Sequence, residues 1–114
     1  MAVYDQAHRM AKEIERSDEY KSYQIIKEKI MKNSKTKEML LNFQKEQVKL
    51  QQKALADQDI SEEDKKKYNN LMEIVKLNND IQKYMDAEYR LSVMLNDIQE
   101  ILFSNLNIGI DKEE

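Results

Sequence analysis

The stretch NNDIQKYMDAEYRLSVMLNDIQEILF, residues 78–103, decides the fold. It contains neither proline nor glycine. Its apolar residues recur at intervals of four and three: Tyr84, Leu91, Leu95, Ile98 and Leu102, with Glu88 at the one polar position of the series. That is the period of an α-helix turning one face toward a neighbour; a half-buried strand would alternate every second residue. Ile81, Met85, Met94 and Ile101 widen the face beyond a single seam. Asn78 offers a side-chain oxygen that can cap the first turn, so the helix reads from there to Phe103–Asn105.

Residues 33–56 repeat the pattern. Asn33 or Ser34 caps a helix whose stripe is Thr36, Met39/Leu40, Phe43, Gln47, Leu50 and Ala54, with a weaker row of Leu41, Val48 and Leu55 beside it. At ~1.5 Å per residue this helix runs roughly 36 Å, long for so small a chain. Three shorter helices complete the chain. The first carries Tyr4, Ala7, Ala11 and Ile14 and ends near Arg16-Ser17-Asp18. Ser17 caps the second, whose side is Tyr20, Tyr23, Ile26 and Ile30 and which stops around Lys32-Asn33-Ser34. Ser61-Glu62-Glu63-Asp64 is a capping box that opens a helix bearing Tyr68, Leu71, Met72 and Val75. Gly109 marks an end, leaving residues 106–114 as a flexible acidic tail after a single helical domain over 1–105.

Composition points the same way. Among 114 residues there is no proline, no cysteine, one glycine and one histidine. Without the usual turn punctuation the chain has few ways to be other than all-α. The expected architecture is an elongated antiparallel bundle of about five helices, two of them long. The long helices carry more apolar surface than three short ones can cover, which predicts a homodimer formed through them; the alternative is a compact monomeric bundle. The expected dimer or partner seam is Phe43, Gln47 and Leu50 with Tyr84, Glu88, Leu91, Leu95, Ile98 and Leu102. Gln47 and Glu88 are polar within it and would set register, with Tyr84 and Arg90 as partners for Glu88.

The same absences exclude most chemistry. No thiol exists, and His8 has no second histidine with which to build a di-metal or proton-relay site. Counted as a calcium loop from Asp57, the acidic stretch has Glu62 where glycine is required and Tyr68 where a bidentate glutamate is required, so that reading fails. Lys65-Lys66-Lys67 follows three acidic residues and has no interleaved aromatics for stacking bases. No catalytic residue, cofactor or metal ligand is assigned, and the chain reads as a non-enzyme. A carboxylate enzyme built on Glu88 would need a concave polar pocket there.

The net charge is −3, but residues 1–57 hold 12 Lys/Arg against 9 Asp/Glu, and residues 58–114 hold 7 against 13. Opposite halves can attract on packing. The basic half also supports the alternative function, a nucleic-acid-binding helical module, which a salt-dependent shift assay would test. Apolar runs such as Met39-Leu40-Leu41 and Ile101-Leu102-Phe103 fall far short of the ~20 residues of a membrane span or the ~7–15 of a secretory signal core, so a cytoplasmic protein is expected.

The order of several landmarks resembles the YlbF/YmcA family: Ser17-Asp18-Glu19-Tyr20-Lys21; Phe43 with Leu50-Gln51-Gln52-Lys53; Ile60-Ser61-Glu62-Glu63; and Ala87-Glu88-Tyr89-Arg90-Leu91 with Asp97-Ile98-Gln99-Glu100-Ile101. The opening Met1-Ala2-Val3-Tyr4-Asp5 resembles the YheA-type branch, whose members are largely uncharacterised. The resemblance implies a helical, dimer-forming protein without known enzymatic activity. It also implies a regulator or adaptor acting through protein contacts. Better-studied members work in Gram-positive bacteria in a complex that influences competence, biofilm formation and sporulation through ribonuclease-dependent RNA maturation. Ser34 and Asn79 stand where the family commonly has proline. The cysteines linked to an iron–sulfur cluster in that complex have no counterpart, so no cluster is expected.

Overall fold

The computed structural model describes residues 1–109. Five helices follow in order: α1 (Ala2–Arg16), α2 (Asp18–Met31), α3 (Ser34–Leu55), α4 (Glu62–Lys76) and α5 (Asn79–Phe103). There is no strand among the described residues. Residues 110–114, most of the expected acidic tail, lie outside them; residues 106–109 carry no helix, and Gly109 has φ +80°.

Local chemistry sets the boundaries where the sequence placed them. Ser17 Oγ accepts the Tyr20 N–H at 3.1 Å, Asn33 Oδ1 accepts that of Thr36 at 3.1 Å, and Asn78 Oδ1 accepts that of Ile81 at 3.0 Å. Each satisfies one of the orphan donors of a first helical turn. The capping box at Ser61 is only half formed. Ser61 Oγ accepts the Asp64 N–H at 3.0 Å, but the Asp64 carboxylate turns away toward lysines of α3. At the other end of α3, Asp57 takes the left-handed conformation (φ +57°), and the Gln58 N–H reaches back to the Lys53 carbonyl at 2.8 Å. Glycine is the usual residue at such a helix stop; here aspartate, one of the few other types that visit this conformation, takes its place.

The helices form two antiparallel pairs. α5 runs along α2, with Lys29 Nζ 3.2 Å from Asp80 Oδ1 and the rings of Tyr23 and Tyr84 5.5 Å apart. α3 folds back on α4, with Phe43 stacked on Tyr68 at 5.5 Å and Lys67 Nζ 3.1 Å from Glu46 Oε2. The two long helices do not lie along each other; each takes a shorter partner, and α3 meets α5 only briefly. The core sits where the pairs join: Ile26 and Ile30 from α2, Leu40 and Phe43 from α3, Val75 from α4, and Ile81, Tyr84 and Ala87 from α5. Beyond this junction the helices diverge. The Cα radius of gyration is 18.6 Å, against about 13 Å for a compact chain of this length, and the molecule is a slab of 50 × 40 × 20 Å.

Candidate functional site: an open helical face

The expected seam divides at the junction. Phe43, 1% exposed, and Tyr84 are consumed by the core. Leu50, Leu91 and Ile98 are half-buried, whereas Leu95 (42%) and Leu102 (49%) stay open to solvent. Gln47 and Glu88 are exposed, and with Gln44, Gln51, Val48, Leu50 and Tyr68 they line an open cleft of about 610 Å³ between α3 and α5. The seam therefore survives as a continuous uncovered face only along the second half of α5, with Leu50 across the cleft.

Glu88 finds the first partner expected for it. The Tyr84 hydroxyl donates to Glu88 Oε2 at 3.4 Å and also lies 3.3 Å from the Tyr23 hydroxyl. Burial, the hydrogen bond with Tyr23 and the Glu88 charge together push the Tyr84 phenol well above its ordinary pKa. Arg90, the other expected partner, pairs instead with Asp86 at 3.2 Å. The reason is helical spacing: Asp86 and Arg90 are four residues apart and share a face. The cleft around Glu88 is wide open and of mixed character, with Val48 and Leu50 among its walls. Its other polar side chains are three glutamine amides and the Tyr68 phenol.

A second concavity was not foreseen. Ala2, Val3, Gln6, Ala7, Met10, Ala11 and Ile14 of α1 face Leu102, Phe103 and Leu106 across a groove of about 760 Å³ that is almost wholly apolar. α1 contributes no buried residue, and α2 is the one helix it packs against. Ala7, Ala11 and Ile14 of the expected stripe are in the groove, while Tyr4 is 64% exposed and outside it. His8 is also exposed and does not line it. Among the described residues no three His, Cys, Asp or Glu side chains are grouped so as to hold a metal ion. No helix there is long and apolar enough to cross a membrane.

The opposite end of the molecule is built from charge. Asp64, buried at the start of α4, is held by Lys53 and, at 3.3 Å, by Lys49. The Lys53 hydrogen bond, opposed by partial burial and aided by Lys49, brings its carboxyl down to about 2. Glu46, 4% exposed, has Oε2 on Lys67 but no hydrogen-bond partner for Oε1 among the described residues. Neither acid belonged to the expected core, although Asp64 precedes Tyr68 by one turn on the same stripe and Glu46 follows Phe43 by three residues. Lys29, Lys49 and Lys53 of the basic half thus pair with Asp80 and Asp64 of the acidic half, within one chain.

The family described as control of competence regulator ComK, YlbF/YmcA, matches residues 3–107. A UPF0342 protein of Halothermothrix orenii is 53% identical over the whole chain and 97% of its own length. A UPF0342 protein of Caldicellulosiruptor saccharolyticus is 38% identical over 88% of this chain and 83% of its own. A solved structure, a protein of unknown function (DUF964) from Bacillus stearothermophilus, superimposes with a TM-score of 0.78 over 91% of each chain at 16% identity. The likeness extends to the fold.

Proposed function

This chain belongs to the YlbF/YmcA family, and on that premise we propose that it is a cytoplasmic, non-enzymatic regulator or adaptor that works as a homodimer through protein–protein contacts. The observation that carries the reading is surface. The accessible area is 9582 Å², whereas a compact monomer of 13.6 kDa exposes about 6,600 Å². The five C-terminal residues outside the described part would add no more than about 900 Å² even fully extended. What remains is the size of one protomer's share of a stable interface, about 800 Å² upward. It includes large apolar side chains on α5: Leu95, Ile101, Leu102 and Phe103.

The family's description, control of competence regulator ComK, supports a regulatory reading of those contacts, and the resemblance to its members extends the proposal to competence, biofilm formation or RNA maturation as the process. A nucleic-acid role loses support from the pairing of Lys29, Lys49 and Lys53 with acids of the same chain. Analytical ultracentrifugation tests the reading. The wild-type chain should sediment as a dimer, and Leu95→Asp, on the open half of α5, should shift it toward monomer with helical circular dichroism retained. A wild-type chain that stayed monomeric at every concentration would end the proposal.

A further inference from the structure

Helix α1 is an anomaly of stability. A 15-residue helix alone in water is marginal, and proteins hold such helices by burying one face. Here none of its residues is buried. Val3, Ala7, Met10 and Ile14 repeat at intervals of four, three and four, the spacing of a helix–helix seam. That seam faces the end of α5, yet no Cα of α1 comes within 8 Å of α5. Helices in direct contact lie about 8–10 Å apart, axis to axis, and bring Cα atoms closer than that. The two walls therefore do not pack on each other, and the apolar groove between them has no cover from this chain.

We propose that the occupant is α1 of a second copy, so that two α1 helices and two α5 ends close a four-helix bundle across a two-fold axis. The proposal rests on the homodimer reading and names its interface. One chain provides both an empty groove and a helix whose face lacks a cover. A two-fold arrangement satisfies both at once, because each copy fills the other's groove with the element that most needs burial. The uncovered area calculated above is of the magnitude such an interface consumes. The helices cross antiparallel between Ala7 and Met10, the middle of the stripe. Ala7 and Ala11 are small enough there to let two backbones approach. Asp5, Arg9, Lys12 and Arg16 fall on the far side of α1 at 100° per residue and remain in water, which keeps the bundle's outer surface charged. This places the main interface on α1 and the end of α5, away from Phe43 and Tyr84.

The absence of cysteine makes the test direct. A single thiol introduced by Met10→Cys should be joined to its copy by a short bismaleimide in most chains. A thiol introduced by Leu77→Cys, 86% exposed on the α4–α5 connection, should not. Met10→Asp should raise the dimer dissociation constant by about tenfold or more while leaving the core intact, since α1 adds nothing to it. A chain that sediments as a dimer, but shows no linkage at position 10 and no effect of Met10→Asp, would overturn this interface and leave the dimer standing. A chain that is monomeric throughout would remove both.

Discussion

The α3/α4 pair and the arm where α1 faces the end of α5 are both built from helices with apolar stripes, but they solve the problem of burial differently. In α3/α4 the two helices touch along their length. Acids on the inner face, Glu46 and Asp64, are taken out of water and held by Lys67, Lys49 and Lys53. In α1/α5 the inner faces are apolar and the helices never meet. A charged inner face has to find its partners within the chain, because a desolvated carboxylate left alone costs too much. An apolar inner face tolerates waiting for a partner. The closed arm is thus a finished piece of structure, and the open arm is where association is favoured.

The contrast breaks first at the junction. Phe43→Ala, at a side chain 1% exposed and stacked on Tyr68, should cost about 3–5 kcal/mol of unfolding free energy. Leu102→Ala, half exposed at the open arm, should cost well under that in the isolated chain, about 1 kcal/mol or less. Thermal or urea melts of both at low protein concentration compare them; equal losses would mean that the open arm is packed after all.

A smaller effect separates the two partners of one ion pair. Lys67→Ala removes the cation from a buried carboxylate that already has one unpartnered oxygen, and should destabilise by about 1–3 kcal/mol. Glu46→Met replaces the carboxylate with an apolar side chain of similar length and should stay within about 1 kcal/mol of the wild type, or exceed it. A large loss in the second variant would show that Glu46 holds the arm together rather than being tolerated in it.

The smallest effect is that of acid. Asp64 titrates at about 2 in the folded chain against an ordinary 3.8. Its folded value is lowered, so its contribution is complete above about pH 4 and disappears as pH falls through 2. Asp64→Asn should flatten the pH dependence of the melting temperature across that window only. An unchanged profile would mean that Lys49 and Lys53 do not hold the carboxylate in solution.

Much of this was legible in the residues. The caps Ser17, Asn33, Ser61 and Asn78 were recognisable because a cap depends on a side chain and a backbone N–H three residues away. Val75 was recognisable as buried from periodicity; Phe43 and Ile81 were recognisable as stripe positions but were assigned to the intermolecular face, and they fill the core instead. The expected seam took in Phe43 and Tyr84, which the junction buries within the chain, because periodicity does not tell a face packed by its own chain from one left open. Asp64 and Glu46 were missed because acids on a stripe look like interruptions until the lysines of the facing helix are known. The groove at α1 was missed because it depends on the distance between residues some 90 positions apart.

The sequence by itself determined the helices, their ends and the residues that share each apolar stripe, all of which follow from interactions within a turn or from spacing along one face. The tertiary structure alone decided which helix lies beside which. The extended Ser17 (ψ 153°) and the left-handed Asp57 redirect the chain, and small changes in direction there move whole helices. Those directions pair α5 with α2, fold α3 onto α4 and leave α1 with an apolar face turned toward a helix it does not reach.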